Sequence, residues 1–85
     1  MFNMQTHYNE YSKIRRTIHT LPYEYQRDLK NMLVTLDQLM LQIHIEQVTC
    51  KQRRKVTKNY DQLLNIYEEY KENLEQQLVL AILSS

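Results

Sequence analysis

The sequence predicts an all-α protein in which an antiparallel helical hairpin follows a shorter N-terminal helix. Apolar residues recur three and four positions apart along three segments, a spacing typical of amphipathic helices. The 85 residues contain no glycine, which removes the usual turn residue of β-hairpins. The only proline, Pro22, stands between the first two segments. Together these observations predict one three-helix bundle-like domain over residues 1–85, which we expect to dimerise.

The segment from Tyr25 to Val48 is the one that the rest of the chain must pack around. Its main apolar stripe comprises Tyr25, Leu29, Met32, Leu36, Leu39 and Ile43, widened by Leu33 and Met40. A second row, Val34, Leu41 and Val48, repeats every seven residues on the far side. A helix that only covers a core needs one apolar face. The two rows therefore predict a central helix over about residues 22–47, with neighbours on both sides.

A first helix is expected over about residues 4–20. Its apolar stripe comprises Phe2, Met4, Tyr8, Tyr11, Ile14, Ile18 and Leu21. Pro22 ends this helix, because the residue before a proline avoids the helical conformation. The same proline suits the first turn of the next helix, where its missing N–H has no helical partner to lose.

The boundary between the second and third helices is open to three interpretations. Thr49 and Gln52 fit a capping box, which favours a third helix over about residues 50–83. Asn59 and Gln62 offer a rival start that leaves residues 49–58 as a basic loop. The third alternative is one unbroken helix from Pro22 to Leu83. The third segment has its own stripe of Val56, Tyr60, Leu63, Tyr67, Tyr70, Leu74 and Ala81, with Leu64 and Leu78 beside it.

Composition and charge indicate a cytoplasmic protein. Cys50 is the only cysteine, which fits a reducing compartment. The N-terminus lacks the pattern of a signal peptide, and the longest apolar run, 78–83, is too short to span a bilayer. The formal net charge of +1 advertises no nucleic-acid or membrane partner. The Asn, Lys, Tyr and Ile bias suits an AT-rich genome, such as that of a low-GC bacterium or its phages and mobile elements.

No catalytic, metal-binding or cofactor-binding motif is recognisable. His7, His19 and His44 are not spaced to share one helix face, and no cluster has metal-ligand spacing. The chain contains no nucleophile elbow and no phosphate-binding loop. We therefore expect a protein that is not an enzyme and that needs no cofactor.

Surplus apolar surface points to protein binding. The second row of the central helix and the apolar C-terminal end exceed what a short first helix can cover. The residues expected at a partner or homodimer interface are Val34, Leu41, Val48, Leu78, Val79 and Ile82. The primary functional hypothesis is a non-enzymatic regulator or inhibitor that docks a larger protein through a helical face.

A basic block supports an alternative hypothesis, nucleic-acid binding. Its members are Lys51, Arg53, Arg54, Lys55 and Lys58. Lys and Arg are sufficient for phosphate contacts, so the block could grip a nucleic-acid backbone or an acidic protein. An acidic run follows it closely, formed by Asp61, Glu68, Glu69, Glu72 and Glu75. That run opposes a nucleic acid lying along the third helix.

Overall fold

The computed structural model describes residues 2–84 and is 89% helical, with three helices and no strand in that range. The helices are α1 (Met4–His19), α2 (Tyr23–Arg53) and α3 (Lys58–Ser84). Helix α2 packs against both α1 and α3. His7 of α1 lies beside Tyr67 of α3 and Asp37 of α2. The all-α, three-helix bundle-like fold predicted from the sequence is confirmed.

The cross-helix contacts give the helix directions. Along α1, His7 contacts Tyr67 and Glu10 contacts Lys71, so α1 and α3 run parallel. Residue numbers on α2 decrease as those on α1 increase along their contact. Gln47 hydrogen-bonds to Phe2, and Asp37 hydrogen-bonds to His7. Helix α2 is therefore antiparallel to both neighbours and forms the centre of the bundle.

Side-chain caps and Pro22 set the first two boundaries close to the prediction. The Asn3 Oδ1 accepts the backbone N–H of Gln5 at 2.8 Å and caps α1. Helix α1 ends at His19, and Pro22 stands as the residue before α2, with φ −54° and ψ 146°. The Gln26 side chain donates to the Leu21 carbonyl at 2.8 Å, which satisfies part of the connection.

The predicted boundary between α2 and α3 is wrong, because α2 continues to Arg53 and α3 begins at Lys58 instead of residue 50. Thr49, expected at a cap, lies inside α2 with its hydroxyl donating to the Ile45 carbonyl at 3.1 Å. The residue that caps α3 is Thr57, whose Oγ1 accepts the N–H of Tyr60 at 3.1 Å. The Asn59 alternative gives a closer start but too long a loop, and the unbroken helix is excluded.

A left-handed residue ends α2. Arg54 has φ 58° and ψ 32°, the conformation that usually selects glycine. Its N–H donates to the Lys51 carbonyl at 3.3 Å, and the Lys55 N–H donates to the Cys50 carbonyl at 3.1 Å. This pair of bonds is a Schellman motif, which satisfies two carbonyls at the end of the helix. The turn therefore reverses the chain without glycine.

The core lies along α2, between the facing stripes of the three helices. Its buried apolar members are Ile14, Ile18, Leu21, Leu29, Leu33, Leu36, Met40, Ile43, Cys50, Tyr60, Tyr67, Leu74, Leu78 and Ala81. Leu33 and Met40 lie at the centre of this core, whereas Tyr25, Met32 and Leu39 pack at its edge. Because α1 and α3 pack on either side of α2, the most buried side chains of α2 are those that face both helices.

Two stripe assignments differ from the sequence prediction. Tyr8 was expected in the buried stripe of α1, yet it is 42% exposed and its neighbour His7 is only 2% exposed. His7 is in helical phase with Tyr11, Ile14 and Ile18, so α1 is rotated by about one residue from the predicted face. Val56, expected in the α3 stripe, lies in the turn and is exposed.

Candidate functional site

Two shallow depressions lie on the outside of the bundle between α1 and α2. We call the surface that joins them the α1/α2 groove and define it by Met4, Tyr8 and Tyr11 of α1 and Val34, Leu41 and Val48 of α2, of which Tyr8 and Leu41 are assigned to it by helical phase. One end is lined by Tyr11, Leu33 and Val34, together with three basic or imidazole side chains, Arg15, His19 and Lys30. The other end is lined by Phe2, Asn3, Met4, His44, Gln47, Val48 and Lys51.

The α2 side of this groove is the second apolar row predicted from the sequence. Val34, Leu41 and Val48 are 45–52% exposed, although each is aliphatic. Ile45 extends the row on its outer flank and is also exposed. Two helical turns separate each member of the row from the next, so the side chains lie in line. Helix α1 thus packs beside the row and leaves it open to solvent.

The predicted apolar C-terminal surface is present with one correction. Leu78 is buried in the core against α2 and does not belong to it. The exposed aliphatic side chains at this end of α3 are Val79, Leu80, Ile82 and Leu83. We call them the α3 end patch. Glu72, Glu75 and Gln76 border it on the side of Val79 and Leu80.

The basic block forms the opposite end of the hairpin. Lys51 and Arg53 close α2, Arg54 and Lys55 make the turn, and Lys58 opens α3. All five side chains are exposed. Within residues 2–84, the contacts at ion-pair distance are His7 with Asp37 and Lys71 with Glu10, so no carboxylate neutralises the block there. The turn brings the five charges to one tip of the molecule instead of along one helix.

A buried polar network, not anticipated from the sequence, joins all three helices. The His7 ring lies with Nδ1 2.6 Å from the Tyr67 hydroxyl and Nε2 3.1 Å from Asp37 Oδ1. A carboxylate can only accept, so the neutral ring carries its proton on Nε2 and donates it to Asp37. The Tyr67 hydroxyl then donates to Nδ1. The Phe2 ring packs edge-on against Tyr67, with centroids 5.3 Å apart.

This network has the connectivity of a carboxylate–imidazole–hydroxyl relay, but its hydroxyl is poorly suited to act as a nucleophile. Burial, with smaller contributions from Glu10, Asp37 and Glu75, raises the pKa of Tyr67 to about 12. A tyrosine with that pKa stays protonated at neutral pH, and its ring is buried beneath Phe2. The arrangement therefore supplies interhelical hydrogen bonds rather than an activated group.

Helical phase is the sequence signal that could have located part of this network. His7 occupies the position four residues before Tyr11 and seven before Ile14, on the buried face of α1. Tyr67 lies in the predicted α3 stripe, so its burial is confirmed. Nothing in the sequence pattern marked Asp37 as a partner of His7, because Asp37 lies beside the apolar stripe of α2 and contacts His7 from that position. The pairing depends on the packing of α1 and could not be read from either helix alone.

Cys50 is buried at the end of α2 and takes part in the turn. The Thr57 N–H donates to its Sγ at 3.4 Å, and the Thr57 hydroxyl donates to Glu46 Oε2 at 3.2 Å. These contacts fasten the residue that caps α3 to the last turns of α2. The structure therefore gives Cys50 a packing role at the hairpin tip.

Over residues 2–84, no group of three or more His, Cys, Asp or Glu side chains is placed to hold a metal ion. In the same range, every helix falls short of the length and apolar character needed to cross a bilayer. Comparisons with protein-family models, with curated proteins and with solved structures gave no match to this chain.

Proposed function

We propose that this chain is a non-enzymatic protein-binding regulator or inhibitor that docks a larger protein through the α1/α2 groove. The observation that carries the proposal is the line of half-exposed aliphatic residues on α2, Val34, Leu41 and Val48. Contiguous exposed apolar surface of this kind usually marks an interaction site. A partner helix in the groove would become the fourth helix of a bundle whose helices already pack through their apolar stripes.

Burial of the apolar row would supply part of the free energy of binding. Fully burying one Val or Leu side chain contributes roughly 1.5–3 kcal/mol relative to full exposure. About half of each side chain in the row is already covered. The three residues together thus offer a few kcal/mol, to which Tyr8 and Ile45 add at the flanks. Leu41, in the middle of the row, is the expected anchor, because binding energy concentrates at the centre of an interface.

A paired-variant pull-down from the native host tests this proposal. Leu41→Glu places a charge at the centre of the groove, and Ile66→Glu places the same charge on a similarly exposed position of α3. We expect wild type and Ile66→Glu to retain one stoichiometric protein partner and Leu41→Glu to lose it. Circular dichroism should show that both variants remain helical. Absence of any stoichiometric partner, or equal retention by Leu41→Glu, would contradict the proposal.

We also propose that the chain forms a homodimer through the α3 end patch. Val79, Leu80 and Leu83 are 52–76% exposed at one end of the molecule. Pairing two such patches would remove them from water without covering the α1/α2 groove. Light scattering should report a dimer at high micromolar concentration and a monomer for the Val79→Glu, Leu83→Glu double variant. A wild-type monomer at that concentration would refute the dimer.

The alternative function, nucleic-acid binding at the hairpin tip, is favoured by the exposure of all five cations of the basic block. Such binding would rest on phosphate contacts and would weaken steeply as salt increases. The combined variant Arg53→Glu, Arg54→Glu, Lys55→Glu tests it in anisotropy titrations at two salt concentrations. Salt-sensitive binding that this variant abolishes would support the alternative. No wild-type binding at low salt, or equal binding by the variant, would eliminate it.

A further inference from the structure

We infer that the occupant of the α1/α2 groove is an acidic amphipathic helix of a partner protein. This inference rests on the proposed docking function and specifies the class of partner. Its basis is the combination of an apolar floor with cationic ends.

The dimensions of the groove suit one short helix. Val34 and Val48 are fourteen residues apart on a continuous α2, which corresponds to about 21 Å at 1.5 Å per residue. The groove is walled by two packed helices, and residues 2–84 contain no strand whose edge could pair with an extended peptide. A helix laid between the two walls would present apolar residues at intervals of three and four over about four turns.

The charges at the two ends of the groove select an acidic occupant. Arg15 and Lys30 line the end near Val34, and Lys51 lines the end near Val48. Asp37, the carboxylate between them on α2, accepts a hydrogen bond from His7. No Asp or Glu side chain of residues 2–84 lines either end of the groove. The exposed acidic residues of α2 are Glu24 and Asp28, and Asp28 lies on the side that faces α3. Carboxylates near both ends of a bound helix would therefore meet cations and no competing acid, which favours their orientation and encounter rate.

The same charges disfavour a second copy of this chain in the groove. The row is symmetric about Leu41, so an antiparallel α2–α2 pairing would bring the Lys30 end of one copy onto the Lys51 end of the other. A parallel pairing would place each cation beside its own equivalent. Like charges held together at an interface cost free energy. The apolar row is thus self-complementary in shape, whereas its flanks are not self-complementary in charge.

The apolar floor separates this groove from the basic tip. Val34 and Leu41 have no group that could donate a hydrogen bond to a phosphate of a nucleic-acid backbone. An anionic membrane surface offers both an apolar layer and negative charge, so it must be distinguished by experiment. A membrane surface is flat, however, whereas this site has a depression between two helices at each of its ends. The concave shape favours the partner helix.

Designed peptides provide a direct test. The probe is a helix of about 18 residues with Leu at alternating three- and four-residue intervals and Glu in its first and last turns, slightly longer than the groove. A second peptide carries Lys in place of each Glu. We expect the Glu peptide to bind at least about tenfold more tightly in anisotropy titrations at moderate salt. Amide chemical-shift changes should concentrate at Tyr8, Val34 and Leu41.

Charge reversal on the protein supplies the matched controls. The double variant Arg15→Glu, Lys51→Glu alters both groove ends, whereas Lys13→Glu, Arg16→Glu makes the same change in net charge at exposed sites outside the groove lining. The groove variant should lose the preference for the Glu peptide, and the control should keep it. Equal binding of the two peptides to wild type, or shift changes confined to α3, would overturn the inference.

Two further outcomes would overturn it in favour of another occupant. One is Leu41-dependent binding to vesicles containing anionic lipid without binding to the Glu peptide. The other is a dimer in light scattering that Leu41→Glu dissociates. The failures of the two proposals are distinguishable. If a host partner is lost with Leu41→Glu but kept by the charge-reversed groove variant, the docking function stands and the acidic-helix inference falls.

Discussion

His7 is the residue on which the three helices meet. Its ring is almost fully buried, and both of its nitrogens have partners on other helices, Tyr67 on α3 and Asp37 on α2. Within residues 2–84, no buried side-chain nitrogen or oxygen lacks a hydrogen-bond partner. A satisfied buried network contributes directionality that apolar stripes lack. Through these two hydrogen bonds His7 ties α1 to both of the other helices.

Removing the Tyr67 hydroxyl should destabilise the fold measurably. In Tyr67→Phe the ring remains, but Nδ1 of the buried His7 loses its donor. We expect the free energy of unfolding to fall by about 1–3 kcal/mol, the cost of a buried unsatisfied group. The control is Tyr23→Phe, since Tyr23 is 87% exposed and should change stability by less than about 0.5 kcal/mol. Urea denaturation followed by circular dichroism measures both, and equal stabilities of the two variants would contradict the proposed role.

Tyr67 should also make stability fall at high pH. Its pKa is raised from 10.0 to about 12 in the folded chain. The folded state therefore holds this proton more tightly than the unfolded state does. The stabilisation by Tyr67 is complete below pH 10 and is lost as the pH rises towards 12, by at most roughly 2–3 kcal/mol for a shift of this size.

The measurement is the difference between wild type and Tyr67→Phe. Wild type should lose more stability between pH 10 and 12 than the variant, because only wild type carries the shifted group. The difference in tyrosinate absorbance between wild type and Tyr67→Phe should place the titration of Tyr67 near pH 12. Identical pH profiles for the two proteins would show that Tyr67 does not govern the loss.

At the scale of the helices, the turn after α2 is the element that the sequence specified least clearly. Thr49 and Thr57 are both potential caps, and only the folded context decides between them. Thr57 caps α3 because its hydroxyl accepts the N–H of Tyr60 and also donates to Glu46. Its own N–H donates to Cys50 Sγ. Thr49 has no such partners and stays inside α2. A two-residue pattern cannot report these tertiary contacts, which is why the predicted boundary was wrong.

Glycine at the end of α2 should stabilise the protein. Arg54 adopts a left-handed conformation that costs a non-glycine residue roughly 1–2 kcal/mol. Arg54→Gly relieves that cost, with a partial offset from greater freedom in the unfolded chain. Arg54→Ala is the matched control, because it removes the same charge but keeps the β-carbon. In thermal unfolding, the free energy of unfolding of the glycine variant should exceed that of the alanine variant by about 0.5–1 kcal/mol. A more stable alanine variant would exclude strain at this position.

At the scale of the molecule, the sequence was sufficient for the helix count, the central place of α2 and the exposed row on its outer face. These features follow from periodicity, which each helix carries in itself. The α1/α2 groove could be predicted only in part. Val34, Leu41 and Val48 were visible as a row, whereas Tyr8 was assigned to the core and Arg15 was not connected with Lys30. The positions of Tyr8 and Arg15 relative to α2 depend on the rotation of α1. His7 of α1 bonds to partners on the other two helices, which are distant in sequence.

The elongated shape of the bundle allows a final test of self-association. The chain measures 48 × 19 × 17 Å and its radius of gyration is 14.6 Å, against about 12 Å for a compact domain of 85 residues. The α3 end patch lies at one end of the long axis, so a dimer through it would lengthen the particle greatly. Small-angle scattering should therefore give a radius of gyration near the monomer value at low concentration and a marked increase at high concentration.

The Val79→Glu, Leu83→Glu double variant should remove that increase, because it places charges in the α3 end patch. Leu41→Glu should leave the increase unchanged, since the α1/α2 groove is not the surface through which the copies pair. The opposite result, an increase abolished by Leu41→Glu and kept by the double variant, would move the dimer interface to the groove. A concentration-independent radius of gyration for wild type would exclude self-association over the range measured.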